Sequence, residues 1–143
     1  MKIINIQRHL CLLFSALLLC TAFSVSTMAK NKCVPKIYAF GFAASFNDST
    51  VYFTRIHEVD SVWINEKNKF LLNRGDYSLQ LKSYFDAKGM PHRTCIISYE
   101  LKRKDLEKRY EKMKAKYLKK GNYKIEYIDP KDFRFEAVEY TEE

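Results

Sequence analysis

The sequence predicts an α/β or α+β fold in which two helices cover a small sheet. A period-two alternation around residue 42 indicates a buried strand, and apolar side chains recur at helical spacing in 77–85 and again in 106–117. Because strands and helices alternate along the chain, we expect a β-α-β-α-β core with an N-terminal hairpin. Parallel strands joined by right-handed crossovers are the first expectation, and a ferredoxin-like split arrangement is the alternative.

Residues 1–29 have the charge order of a secretion signal peptide. Lys2 and Arg8 precede a stretch without charge from Leu10 to Ala29. The apolar centre of this stretch ends at Phe23 and is shorter than the roughly 20 residues that a membrane span needs. Small residues before Lys30 provide a cleavage site. We therefore expect export, cleavage near Ala29, and a periplasmic or extracellular location.

Two other interpretations of the N terminus fit the sequence less well. An uncleaved signal anchor would need a longer apolar segment or a stop-transfer pattern. A lipoprotein would be acylated at Cys20, but Leu19 is larger than the small residue that normally precedes a lipidated cysteine.

Residues 30–143 are expected to form a single α/β domain. They number 114 of the 143 residues, which is enough for one hydrophobic core. Removing Lys2 and Arg8 leaves 23 basic residues against 17 acidic ones, so the processed chain stays basic. We expect no transmembrane segment after processing.

The first strand is predicted between Ile37 and Phe46. Neither of its faces carries a charge, so both should be buried, and the small-residue face would let a helix or a neighbouring backbone come close. The large residues of one face are Tyr38, Phe40, Phe42 and Phe46, and the small residues of the other are Ala39, Gly41, Ala43 and Ser45.

Turn-forming residues follow the first strand, and Val51–Ile56 is then expected to pair with it. The segment His57–Arg74 has no clean period and receives no assignment. A helix is predicted to start at Asp76 as its N-cap and to stop at Gly89. Thr94–Tyr99 reads as a second buried, central strand beside the first.

A long helix follows, with one apolar stripe of Leu106, Tyr110, Met113 and Tyr117, and it is predicted to end at Gly121. Tyr123, Ile125 and Tyr127 alternate with charged residues, as in an edge strand that is wet on one face. Phe133 and Phe135 are interpreted as the start of another strand.

Cys33 and Cys95 remain after signal cleavage, and we expect them to form a structural disulfide in an oxidising compartment. Closing a loop of 62 residues would stabilise the fold by about 4 kcal/mol. The alternatives are two separate thiols, or a metal site in which His92 and His57 join the two cysteines. We favour the disulfide and expect neither a metal nor a cofactor, with both histidines in loops or on the surface.

No familiar catalytic template occurs in the sequence. It contains no G-x-S-x-G elbow, Walker loop, G-x-G-x-x-G turn or H-E-x-x-H helix, and its acidic residues are scattered. No catalytic residue is therefore assigned. The pattern favours a non-enzymatic envelope binding or accessory module, and the alternative is an unrecognised small periplasmic hydrolase or thiol enzyme.

The long helix carries the strongest local charge of the chain. Lys108, Lys112, Lys116 and Lys119 are spaced to share one side, which makes them a candidate anion-binding face. The partner would be an anionic envelope component, such as a lipid, a glycan or a protein, and not nucleic acid. The simpler interpretation is a solvated helix face that the acidic C-terminal stretch partly neutralises.

Four segments resemble a family of small exported proteins from Bacteroidota, and the resemblance extends over nearly the whole processed chain. It implies a location in a Gram-negative cell envelope and carries over no catalytic residue. The segments are FNDSTVYFT at 46–54, YSLQLK at 77–82, RTCIISYELKRK at 93–104 and EKRYEKMKAKY at 107–117.

Overall fold

The structure is a computed structural model that describes residues 30–141, so the signal-peptide prediction falls outside the described residues. It is a mixed α/β fold with two helices and a five-stranded sheet, which confirms the predicted fold class. In chain order the elements are β1 Asn31–Ala44, β2 Thr50–Thr54, β3 His57–Asn65, α1 Arg74–Ala87, β4 Thr94–Glu100, α2 Arg103–Lys120 and β5 Lys124–Ile128.

Strand β1 is the axis of the sheet. One of its sides pairs antiparallel with β2 and β3, and the other side pairs antiparallel with β4. Phe42 lies opposite Phe53, and Ala39 lies opposite His57. The chain therefore has one more residue between Phe53 and His57 than β1 has between Ala39 and Phe42. This extra residue is a β-bulge that separates β2 from β3, and β5 adds parallel to β2 at the outside.

The two faces of β1 build the two cores. Ile37, Ala39 and Ala43 belong to one cluster with the buried residues of α1, whereas Phe40 and Phe42 belong to the other cluster with those of α2. Successive residues of a strand point to opposite faces, so each helix covers its own face of the sheet. The result is a three-layer arrangement of helix, sheet and helix.

Gly41 allows α1 to approach the sheet closely. A Cβ atom at this position would lie 2.7 Å from Leu81 Cδ2 and 3.1 Å from the Phe135 ring. Both neighbours are themselves buried and have little room to move. Thr54 Oγ1 accepts the Gly41 N–H at 2.7 Å, so the side chain at the bulge satisfies this backbone donor. The predicted small-residue face is therefore the contact surface for a helix.

The predicted order β-α-β-α-β is confirmed as β3-α1-β4-α2-β5, after an N-terminal pair of β1 with β2. β3, β4 and β5 share one direction, but β1 separates β3 from β4, and β1 and β2 separate β4 from β5. The strands that each helix joins are thus split, and the parallel neighbours of the first expectation are not found among them.

β4 is adjacent to β1, as predicted, but it is not central. Within the described residues it pairs with β1 alone and forms an edge. Its continuous apolar run arises because both faces are covered: Ile96 packs in the α2 core and Ile97 in the α1 core. The apolar run of β4 is therefore explained by the helices that cover both faces of the strand, and not by a neighbouring strand on each of its edges.

Several element ends differ from their predictions. β1 stops at Ala44, and the Phe46 side chain beyond it is fully exposed. Asn73 caps α1 and Asp76 lies in the first turn, while the stop signal at Gly89 has the expected left-handed backbone. The apolar stripe of α2 faces the sheet, and Gly121 ends this helix as predicted.

The unassigned segment after β2 contains β3, whose buried apolar residues are Val59, Val62 and Ile64. Ser61 has a positive φ of 54°, which breaks the simple alternation and explains why the sequence shows no clean period here. At the other end of the chain, Phe133 and Phe135 do not start a strand. They belong to an extended segment that packs on the α1 side.

The predicted disulfide between Cys33 and Cys95 is wrong. Cys33 lies at the start of β1 opposite Trp63, whereas Cys95 pairs with Ala43 near the end of β1. Ten residues of strand separate the two positions, or about 30 Å at the usual rise. A disulfide requires Cα atoms about 4 to 7 Å apart, so the two thiols cannot meet in this fold.

The close approach at Gly41 is testable with a matched pair of substitutions. Gly41→Ala should lower the free energy of unfolding by about 1–3 kcal/mol, because the added methyl overpacks the buried contact with Leu81. Gly75→Ala makes the same chemical change in α1 where no atom lies within 4 Å, and should be neutral or stabilising by up to about 1 kcal/mol. Urea unfolding measures both. Equal effects of the two substitutions would contradict the packing described here.

Candidate anion-binding face on the second helix

The four lysines predicted to share a side do so on α2. Lys108, Lys112, Lys116 and Lys119 are all exposed, and their spacing confines them to an arc of about 80°. We call this arc the basic face. It points away from the buried stripe of Leu106 and Tyr110, so its lysines do not need to reach past the edge of the core. Asp105 lies on the same arc one turn earlier, so the basic face begins at Lys108.

Ion pairs along α2 leave the basic face unpaired. Arg103 binds Glu107 at 2.9 Å, Lys114 binds Glu111 at 2.8 Å, and Arg109 binds Glu100 of β4. Within residues 30–141 none of the four lysines has a carboxylate within 4.0 Å. Glu107 and Glu111 are therefore used by other basic residues of the helix, Asp105 forms no ion pair among the described residues, and the charge of the basic face is directed at solvent.

The acidic C-terminal segment, which follows β5, lies on the α1 side of the sheet, opposite to α2. Gln80 of α1 exchanges two hydrogen bonds with the Glu136 backbone, at 3.0 and 2.9 Å, and Asn73 donates to the Glu139 carbonyl at 3.0 Å. The Tyr77 hydroxyl accepts the Val138 N–H at 3.1 Å. The sheet thus separates this segment from α2, and none of its described carboxylates forms an ion pair with the helix.

His57 anchors the same segment to the sheet. Its Nδ1 lies 3.0 Å from the Arg55 carbonyl, and its Nε2 accepts the Phe135 N–H at 2.9 Å. These two bonds require the neutral ring with its proton on Nδ1. Burial lowers the pKa of His57, and the nearby charge of Arg134 lowers it further. His57 is buried rather than in a loop or on the surface, and it holds backbone instead of a metal.

Cys95 and His92 do not form a reactive pair. His92 is exposed in the loop before β4, as expected, with its carbonyl accepting the Ser45 hydroxyl at 3.2 Å. Burial raises the pKa of the Cys95 thiol to about 11, so it stays protonated at neutral pH. In the described part of the chain, no group of three or more His, Cys, Asp or Glu residues is placed to hold a metal ion.

A cleft on the other side of α2 has mixed charge. Its volume is about 210 Å³, and Arg55, Arg103, Glu107 and Tyr110 are among its lining residues. Arg103 and Glu107 pair with each other across one turn. Burial raises the pKa of Tyr110 to about 12, so its hydroxyl is protonated at neutral pH. The cleft holds no nucleophile oriented by a base, which catalysis by covalent attack would require.

The chain was compared with known proteins at three levels. No protein-family model, no curated protein and no solved structure matches it. The resemblance to exported Bacteroidota proteins and the predicted export therefore stay predictions. Among residues 30–141, neither helix has the length and apolar character needed to cross a bilayer.

The free energy of unfolding should depend on pH because His57 is neutral in the folded protein. Because its pKa is lower in the folded state than in the unfolded chain, the unfolded chain binds the proton first as pH falls below about 6.5, and the free energy of unfolding decreases. The His57→Phe protein keeps a ring against Phe135 but leaves the Phe135 N–H without an acceptor. It should be less stable by about 1–3 kcal/mol at pH 8.

Urea unfolding at pH 8 and at pH 5.5 measures this difference. We expect it to shrink at the lower pH, because only the wild-type protein carries the penalty of keeping His57 neutral. A difference that stays constant between the two pH values would show that His57 does not act through its proton.

Proposed function

We propose that this protein is a non-enzymatic binding or accessory module of the cell envelope that attaches to an anionic component through the basic face of α2. The observation that carries the proposal is the segregation of charge by layer. The four lysines of the basic face are exposed and unpaired, while the acidic C-terminal segment is bound to the other side of the sheet.

Placement on a rigid element supports a binding role for these lysines. The opposite side of α2 is fixed to the sheet by Leu106 and Tyr110, and the Tyr110 ring packs edge-on against Phe40 at 4.9 Å between ring centroids. The basic face is therefore held in one orientation and presents its charges together. A cationic surface of this kind attracts anionic partners over about one Debye length, roughly 10 Å at 0.1 M salt.

The candidate nucleophiles and bases of the chain support the alternative, an enzyme, less well. The Cys95 thiol and the Tyr110 hydroxyl both have raised pKa values because they are buried, which disfavours the ionised forms that would attack a substrate. His57 uses both ring nitrogens to bind backbone. We infer export from the charge order of residues 1–29, and that order is consistent with an envelope partner.

Charge reversal tests the proposal. A variant with Glu at Lys108, Lys112, Lys116 and Lys119 should lose binding to phosphatidylglycerol vesicles and to immobilised polyphosphate by at least about 100-fold at low salt, since each lysine near an anionic surface contributes about 1 kcal/mol. Binding of the wild-type protein should weaken as salt rises. Far-UV circular dichroism should stay unchanged, because all four side chains are exposed.

The matched control reverses four exposed lysines that lie away from α2, namely Lys30, Lys32, Lys67 and Lys131. This variant has the same net charge as the first and should retain most of the binding. Equal loss in both variants would show that net charge alone attracts the anion. Full binding by the first variant would overturn the proposed function.

A further inference from the structure

Exposed apolar side chains gather at the end of the molecule where β1 ends, α2 ends and β5 begins. Phe46 is fully exposed, Leu118 is 60% exposed, and Tyr123 is 36% exposed. Phe46 and Tyr123 line one open groove of about 290 Å³, together with Phe42, Ile96 and Tyr117. Exposed apolar surface bordered by polar groups marks a contact site for a protein or a membrane. We call this region the aromatic end.

Phe46 is exposed because the turn holds it there. The Ser45 hydroxyl accepts the Asn47 N–H at 3.1 Å and donates to the His92 carbonyl at 3.2 Å, so the chain leaves the sheet directly after Ala44. Asp48 Oδ1 then accepts the Thr50 N–H at 2.8 Å. The hydrogen bonds of Ser45 and Asp48 thus fix the turn, and the turn directs the Phe46 side chain into solvent.

Lysines of α2 border the aromatic end. Arg109 reaches Glu100 of β4, which identifies the flank of α2 that lies over β4. Lys116 follows Arg109 by seven residues, or two turns, and therefore lies on the same flank beside the groove. Lys120 Nζ lies 5.9 Å from the centre of the Tyr123 ring, which lines the groove. Lys116 of the basic face and the neighbouring Lys120 therefore border the aromatic end.

Asp48, in the turn that follows Phe46, is already paired. Asp48 accepts a hydrogen bond from Arg93 at 2.6 Å, and the buried Arg93 guanidinium stacks on the Tyr52 ring at 4.6 Å. The cations at the aromatic end are lysines, which carry compact, flexible point charges, whereas bidentate recognition of one specific carboxylate usually relies on arginine. This composition suits the diffuse negative charge of a lipid surface.

We propose that the anionic partner is the surface of a lipid bilayer, with Phe46 and Tyr123 entering the interfacial region and Lys116, Lys119 and Lys120 contacting anionic headgroups. This inference rests on the proposed function and specifies its partner. Aromatic rings favour the interface between headgroups and acyl chains, and lysines near them add attraction to anionic lipid. Binding to the bilayer needs both the aromatic rings and the lysines, because the free energy that each contributes is small.

The test compares two exposed phenylalanines at opposite ends of the fold. Phe46→Ser should weaken binding to vesicles of phosphatidylcholine with phosphatidylglycerol by roughly tenfold, which corresponds to about 1.4 kcal/mol. Phe70→Ser removes a ring that is 49% exposed in the loop before α1, and should leave binding unchanged. Co-sedimentation at fixed salt measures both. Vesicles of phosphatidylcholine alone should bind the wild-type protein weakly.

Insertion is read directly from fluorescence. In the F46W variant, lipids brominated in their acyl chains should quench emission, while the wild-type emission of Trp63, which lies in β3 opposite the start of β1, should not change. Equal vesicle binding by the F46S and F70S variants, or no quenching of the F46W variant, would overturn the lipid inference. So would binding to polyphosphate without binding to vesicles, and that result would leave the proposed function intact.

Discussion

The approach of α1 to the sheet at Gly41 is the contact on which the rest of the structure depends. β1 is the one described strand that pairs with three others, and its two faces differ sharply in side-chain size. Leu81 and Phe135 approach the small face so closely that a Cβ atom at position 41 would overlap them, and the aromatic face carries α2 on Phe40 and Phe42. A larger residue at position 41 would push α1 and the C-terminal segment outward together.

The same contact decides where charge lies. Because α1 and the sheet come close, Phe135 reaches the interior, and its N–H is bound by His57. The acidic residues that follow are then held along α1 by Gln80 and Asn73. α2 lies across the sheet, and its basic face meets solvent without an opposing acidic segment. Packing in the core therefore leads to a surface with one cationic side.

Local periodicity predicted much of the fold. The alternation in β1, the stripe on α2 and the stop signals at Gly89 and Gly121 each depend on near neighbours in the chain, and the structure confirms them. The basic face could be predicted for the same reason, since positions four and three residues apart on a helix share a side. Its exposure and lack of ion pairs required the structure.

Features that depend on distant residues could not be predicted. The bond between His57 and Phe135 joins residues 78 apart, and no pattern around either residue indicates it. The disulfide prediction failed because the number and spacing of cysteines carry no information about register along β1. The aromatic end was missed because the alternation appeared to continue to Phe46, although hydrogen bonds of the Ser45 hydroxyl end the strand first.

The central claim is that the basic face of α2 binds the anionic partner, and that net positive charge alone does not account for this binding. Lysine acetylation followed by mass spectrometry, with and without phosphatidylglycerol vesicles, tests it residue by residue on the unmodified sequence. We predict that Lys112, Lys116 and Lys119 lose reactivity when vesicles are present, while Lys67 and Lys131 keep theirs. Equal protection of all five lysines, or protection of Lys67 and Lys131 alone, would contradict the claim.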